Sequence, residues 1–249
     1  MGAARLAHAV LTAEHPKAEL LARHGIPPDK IHVLLNLPDD RVFDPDASAP
    51  AATVTDDPRA PFRLIYHGTL AYRHGLDRAV EALALVTRRF PGVGMTIIGE
   101  GDHLPVLLRM RDELGLRDHL EIDGSFHPIE EIVPRLRTAH LAVIPTRAEV
   151  STDYLLPTKL LEYLALGIPA VCTPTRTVRH YFGEAHPLHL EDDSPEGVAR
   201  KVVHARVNYA RIVAQTAETR RRFFGELRWS THKRIYLELL ERLAETRRR

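Results

Sequence analysis

Between Phe62 and Thr173 the chain switches repeatedly from short apolar runs to longer stretches with apolar residues at helical spacing. That alternation restricts the fold more than any other feature. Residues 62–67 form a compact β-branched and aromatic run ending at Gly68, which predicts a strand. Residues 77–89 carry Ala79, Val80, Leu83 and Val86 at helical spacing and stop at Pro91-Gly92, which predicts a helix. Further strands are expected at 94–98, 120–122, 141–144 and 170–173. Helices are expected at 104–114, 129–137 and 158–166, the first with Gly115 at the left-handed cap position and the last stopped by Gly167. Two or three helices then close the chain from Glu196 onward. The pattern predicts an α/β fold, a parallel sheet covered by helices on both faces. Right-handed crossovers put every strand-to-helix loop on one edge of such a sheet, where these folds bind ligands. The loops at 68–75, 99–102, 124–128 and 145–158 are therefore the ones that matter.

Composition excludes several function classes. The 249 residues carry a formal charge of +1, which gives no bulk attraction to nucleic acid. Arg220-Arg-Arg222 and Arg247-Arg-Arg249 read as solvated helix ends, and no nucleic-acid-reading motif accompanies them. The single cysteine, Cys172, permits no internal disulfide and lies in a run that reads as a buried strand. No apolar run approaches the ~20 residues of a membrane span, and the N-terminus lacks a signal-peptide core, so a cytoplasmic chain is expected. Residues 39–61, rich in Asp, Pro, Ala and Thr, have a linker composition with Phe43 as the obvious anchor.

Three of the edge loops carry candidate chemistry. In His67-Gly-Thr-Leu-Ala-Tyr-Arg-His-Gly75, Gly68 allows close backbone approach, and Thr69, Arg73 and His74 offer donors suited to phosphate. The same residues fit a plain strand-helix connection equally well. Gly99-Glu-Gly101 is a fragment of a dinucleotide fingerprint without its third glycine, more often a turn than a site. In Pro157-Thr-Lys-Leu-Leu-Glu162, a helix start presents unpaired N–H groups, Lys159 adds charge, and Glu162 lies one turn on, able to accept from a ribose diol. A solvated Glu162 is the alternative, but Leu160, Leu161, Leu164 and Ala165 surround it.

The segment from Pro157 through Glu162-Tyr-Leu-Ala-Leu-Gly-Ile-Pro-Ala-Val171 resembles the nucleotide-sugar signature of the group 1 (family 4) glycosyltransferases. Tyr66-His-Gly-Thr-Leu with Arg73-His-Gly-Leu-Asp77 is similar to that family's phosphate loop. Gly124-Ser-Phe126 is similar to its nucleobase loop, and Ile31-His-Val-Leu-Leu-Asn36 with Phe43-Asp-Pro45 to its domain junction. The resemblance implies the C-terminal, Rossmann-like half of a GT-B enzyme, a retaining hexosyltransferase needing neither cofactor nor metal. Its donor would be a nucleotide-diphosphate sugar, and its acceptor an unknown glycan, lipid or small molecule, as in polysaccharide biosynthesis. Carried over by position, Glu162 would hold the ribose and the Phe126 backbone the base. Gly68, Arg73 and the backbone of Leu155 and Leu156 would lie at the diphosphate. Two departures stand out. The carboxylate often found eight positions before the ribose glutamate is Tyr154 here, and the usual phosphate-loop Arg and Lys are Thr69 and His74. His74 would be a weaker, pH-dependent substitute.

The resemblance also divides the chain. Residues 1–38 read as a remnant of the acceptor domain, 39–61 as a linker, 62–228 as the donor domain and 229–249 as the closing helix. Catalytic residues would lie in the absent N-terminal domain, through which the protein would also touch a membrane. Met1 to Asn36 should be loosely held, and Leu237, Leu240 and Leu243 could leave an apolar helix face exposed. A truncated reading frame would account for the length. A non-catalytic nucleotide-sugar-binding subunit, working with a separate chain that carries the N-terminal domain, is the rival. An epimerase or phosphorylase of the same fold is a further rival, with no convincing pyridoxal-phosphate lysine to support the latter.

Overall fold

The computed structural model describes residues 2–47, 54–184, 186 and 188–246. The chain opens with α1 (Gly2–Leu6), β1 (Val10–Thr12), α2 (His15–Arg23) and β2 (Ile31–Val33). The alternating part follows: β3 (Phe62–His67), α3 (Leu76–Arg89), β4 (Val93–Ile98), α4 (Leu104–Glu113), β5 (Leu120–Asp123), α5 (Ile129–Leu136), β6 (Leu141–Ile144), α6 (Thr158–Ala165) and β7 (Ala170–Cys172). The last elements are α7 (Arg176–Phe182), α8 (Pro195–Val207), α9 (Tyr209–Glu226) and α10 (Trp229–Thr246). Every strand and helix expected from periodicity is present, with ends shifted by a residue at most. Helix α7 was not anticipated. Its start is set by Thr175, whose Oγ1 accepts the Val178 N–H at 3.2 Å.

Strands β3 to β7 form one parallel sheet in the order β5-β4-β3-β6-β7. The chain builds outward from β3 to β5, then returns to lay β6 on the other side of β3. A crevice opens where the order reverses, at the carboxyl ends of β3 and β6. Alternate residues serve opposite faces. Leu64 and Tyr66 join Met95, Leu141 and the apolar sides of α3 and α8, while Ile65 joins Ala142, Leu161, Ala165 and Phe223. Cys172 is buried in the second cluster, and burial pushes its thiol up to about 12, so it packs as a small apolar group.

The N-terminal segment is more firmly held than expected at its end. Strands β1 and β2 pair in parallel, Leu35 and Leu37 are buried in the second cluster, and the Leu35 N–H donates to His232 Nε2 on α10 at 2.9 Å. The composition of 39–61 also conceals tethers. Phe43 is buried as anticipated, but Arg228 grips Asp46 with two bonds of 2.6 and 2.8 Å, and Arg206 donates to the Asp57 carbonyl at 2.5 Å. These partners lie about 150–180 residues away in sequence, beyond any local reading. Positions 48–53 and 247–249, the latter holding the terminal arginine run, lie outside the described residues. On α10, Leu237 and Leu240 are exposed as expected, joined by Ile235 and Tyr236, while Leu243 is half-buried.

Candidate functional site

A cleft of about 920 Å³ opens at the reversal point between β3 and β6. It is walled by the loops after β3, β4 and β5 and by the start of α6. Eight of the nine residues picked out from the sequence line it: Gly68, Thr69, His74, Phe126, Leu155, Leu156, Lys159 and Glu162. Arg73 does not. Its side chain is exposed on the single turn Tyr72–His74, so the permanent cation expected of it stands outside the cleft.

The cation that reaches the cleft is Lys159. It is partly buried against Gly68, where an added Cβ would come within 3.2 Å of the lysine Cε and Nζ. Its Nζ donates to Tyr66 Oη at 2.7 Å and lies 4.3 Å from that ring's centre. Tyr66 in turn donates to the Thr69 carbonyl at 2.9 Å, so one buried phenol fixes both lysine and loop. Burial pulls the Lys159 ammonium down to about 8, with Glu162 opposing the shift and Arg73 reinforcing it. His74 fares differently from the expectation. Burial, with Lys159 and Arg73 nearby, pushes its imidazole down to about 4, so it is neutral at pH 7 and is no pH-dependent cation near neutrality.

Glu162 is neither solvated nor free. His67 at the end of β3 meets its Oε2 at 2.6 Å. The other face of His67 is fixed by Tyr163, whose hydroxyl lies 2.7 Å from Nδ1 and accepts the His67 backbone N–H at 3.0 Å. One tautomer satisfies all three contacts: Nε2–H donates to Glu162, and Nδ1 accepts from Tyr163. His67 therefore orients the carboxylate and leaves acceptor capacity for a ligand in the cleft. Sequence reasoning missed His67, Tyr66 and Tyr163 as site residues. All three stood inside the phosphate-loop and nucleotide-sugar motifs, but a histidine and two tyrosines beside apolar residues read equally well as core.

The backbone groups differ from expectation too. The Leu155 N–H donates to the Thr152 carbonyl at 3.0 Å, so it is already committed and unsuited to a diphosphate. Pro157 stands at the cap of α6, which leaves the N–H groups of Thr158 and Lys159 without intrahelical partners at the cleft. Gly99 lines the cleft and crosses Gly68, whose carbonyl oxygen would lie 2.1 Å from an added Cβ. The Gly99-Glu-Gly101 fragment thus supports the first loop. Ser194 caps α8 by accepting the Gly197 N–H at 3.0 Å. Among the described residues, no group of three or more His, Cys, Asp or Glu is placed to share an ion, and no helix is long and apolar enough to cross a membrane.

The profile of the glycosyl transferases group 1 matches residues 61–206, more than half of the chain. The chain belongs to this family. Among curated proteins it is 31% identical over 150 residues to the alpha-D-kanosaminyltransferase of Streptomyces kanamyceticus, covering 59% of this chain and 39% of that protein. It is 27% identical over 168 residues to the GDP-mannose-dependent alpha-(1-6)-phosphatidylinositol monomannoside mannosyltransferase of Mycobacterium tuberculosis, covering 65% and 43%. The group 1 chain thus spans about two-fifths of the length of these relatives. Among solved structures, Anabaena Alr3699/HepE, in complex with UDP and glucose, superposes with a TM-score of 0.76 at 14% identity over 94% of this chain and 63% of that one. The C-terminal domain of a group 1 family protein from Francisella tularensis gives 0.59 at 16% identity over 77% and 99%. These likenesses establish the fold of this group 1 chain as that of a GT-B C-terminal domain.

Proposed function

We propose that this chain is the donor-binding half of a retaining, metal-independent glycosyltransferase that takes a hexose from a nucleotide-diphosphate sugar. The observation that carries the reading is a juxtaposition on α6. Lys159 lies against Gly68, and Glu162, one turn further, is held by His67. A cation beside a glycine loop and two free helix N–H groups suits a diphosphate. A buttressed carboxylate at the next level suits a ribose diol, since an ionised carboxylate only accepts hydrogen bonds. The exposed Phe126, at the cleft's edge, is available to the base.

The test is a titration of the chain with UDP and GDP. Glu162→Ala should weaken binding by on the order of 1.5–3 kcal/mol, the range for a hydrogen bond to a charged group. Unchanged affinity in a folded variant would remove the ribose assignment. In this reading Lys159 and the helix N–H groups balance the phosphate charge, so the same titration with a chelator should give the same affinity. A strict requirement for magnesium would overturn the metal-free reading.

Lys159 adds a pH dependence with a definite sign. The bound diphosphate favours the charged ammonium, so its pKa in the complex lies above the value of about 8 in the free chain. Lys159 should therefore add no pH dependence below pH 8 and should make affinity fall as pH rises through and beyond it. Lys159→Met should bind more weakly and lose that decline. Equal affinity of the unmodified chain at pH 7 and pH 10 would show that Lys159 does not serve the phosphates.

A further inference from the structure

Glu14 is a buried carboxylate that the donor reading leaves unused. It stands at the cap position of α2, yet its side chain makes no capping hydrogen bond to that helix. It lines the donor cleft instead, 6% exposed, and its Oε2 is shut off from water with no hydrogen-bond partner. Burial raises its pKa, while the charge of Lys17 and a hydrogen bond from the Leu156 N–H oppose the rise. A buried acceptor without a donor is costly, and a chain that places one in a binding cleft leaves it for a ligand to satisfy.

The position of Glu14 says which part of the ligand. Three partners from outside α6 meet the stretch leading into and along that helix at positions spaced three residues apart. His67 meets Glu162, Gly68 meets Lys159, and Glu14 meets Leu156. Lys159 and Glu162 share one side of α6, and Leu156 lines the same cleft just before the helix cap, so the three levels follow each other along the cleft. If the first is the ribose and the second the diphosphate, the third holds whatever the diphosphate carries. A carboxylate repels phosphate oxygens, whereas sugar hydroxyls are the donors its orphaned oxygen lacks.

We propose that Glu14 is a donor-sugar residue, its carboxylate accepting hydrogen bonds from hydroxyls of the hexose attached to the diphosphate. This rests on the donor reading and extends it. It also assigns sugar recognition to a residue between β1 and α2, on the N-terminal segment rather than on the sheet that holds the nucleotide.

The test compares each nucleotide with its sugar ester. The unmodified chain, Glu14→Gln and Glu14→Ala are titrated with UDP and GDP, then with UDP-glucose and GDP-mannose, and their thermal melts are recorded. For the nucleotide that binds, Glu14→Ala should weaken the sugar ester about tenfold or more, the span of a lost charged hydrogen bond. The bare diphosphate should stay within about twofold. Glu14→Gln keeps the side-chain volume and should show the same selective loss, so the question is answered even if the alanine variant fails to fold. Equal losses for ester and diphosphate, or no loss for either in a folded variant, would overturn the inference. A tighter diphosphate in the variants would also overturn it, by placing Glu14 at the phosphates. If the unmodified chain binds neither nucleotide, the donor reading itself falls, and the sugar assignment with it.

Discussion

The 249-residue chain assayed alone is expected to transfer sugar at less than about one-thousandth of the rate reached when an acceptor-binding domain is joined or added to it. In a two-domain transferase the reacting bond lies between the domains, and closure brings acceptor to donor. On the proposed reading β3, β4, β5 and α6 supply the donor wall of the cleft, and among the described residues before 38 Glu14 and Asn36 line it. Positioning a second reactant is worth about 7–11 kcal/mol at best, and a loss of about 4 kcal/mol already gives three orders of magnitude. Slow hydrolysis of the donor is the most the chain should achieve. The assay uses labelled donor and acceptor-rich lysate, with the chain alone and with an N-terminal domain from a relative joined in cis or added in trans. Robust transfer by the chain alone would end the argument that it is the donor half.

Gly99→Ala should be among the most damaging single substitutions in the loops that form the cleft. Gly99 has φ of +137°, a conformation an alanine rarely adopts. Its added Cβ would meet the Gly68 carbonyl oxygen at 2.1 Å and the carbonyl carbon at 2.9 Å. Both contacts are backbone, held by the Gly68 N–H bond to Ile98 at 2.9 Å, so neither can swing aside. Strain of this kind costs on the order of 3 kcal/mol or more, a large share of the roughly 5–15 kcal/mol that holds a domain together. For a chain of this size that corresponds to a fall in Tm of about 6–12 °C. Because Gly68 must shift, UDP or GDP affinity should drop as well. Gly225→Ala in α9 is the matched contrast. An added Cβ there meets nothing within 4 Å, and replacing a helical glycine should raise stability by about 0.5–1 kcal/mol. Equal melting of the two variants would show that the crossing of the loops is not a tight one.

How much of this was legible beforehand depends on how local each cause is. The strands and helices of residues 62–172 were readable because their apolar spacing, and the glycines and prolines at their ends, lie within each element. Helix α7 was missed because its seven residues, among them Thr177, Arg179 and His180, carry little amphipathic signal. Its cap, Thr175, reads like any loop threonine until Val178 is seen to donate to it.

For the site, the sequence by itself determined the parts. Gly68, Lys159 and Glu162 could be chosen from residue chemistry at strand and helix ends, and parallel topology put them on one edge. Tertiary structure alone decided which of them meet and in what state. Arg73 lost its place because the turn Tyr72–His74 leaves it exposed, and His74 lost its charge because burial among cations disfavours the imidazolium. His67 gained a role because the end of β3 sets it 2.6 Å from a carboxylate 95 residues away. Glu14 came to the cleft because a segment the sequence marks as separate is docked on the rest of the chain, through His15 on the Tyr181 hydroxyl and Leu35 in the second cluster. In each case the deciding quantity is desolvation or a distance between remote residues, and neither exists until the chain has folded.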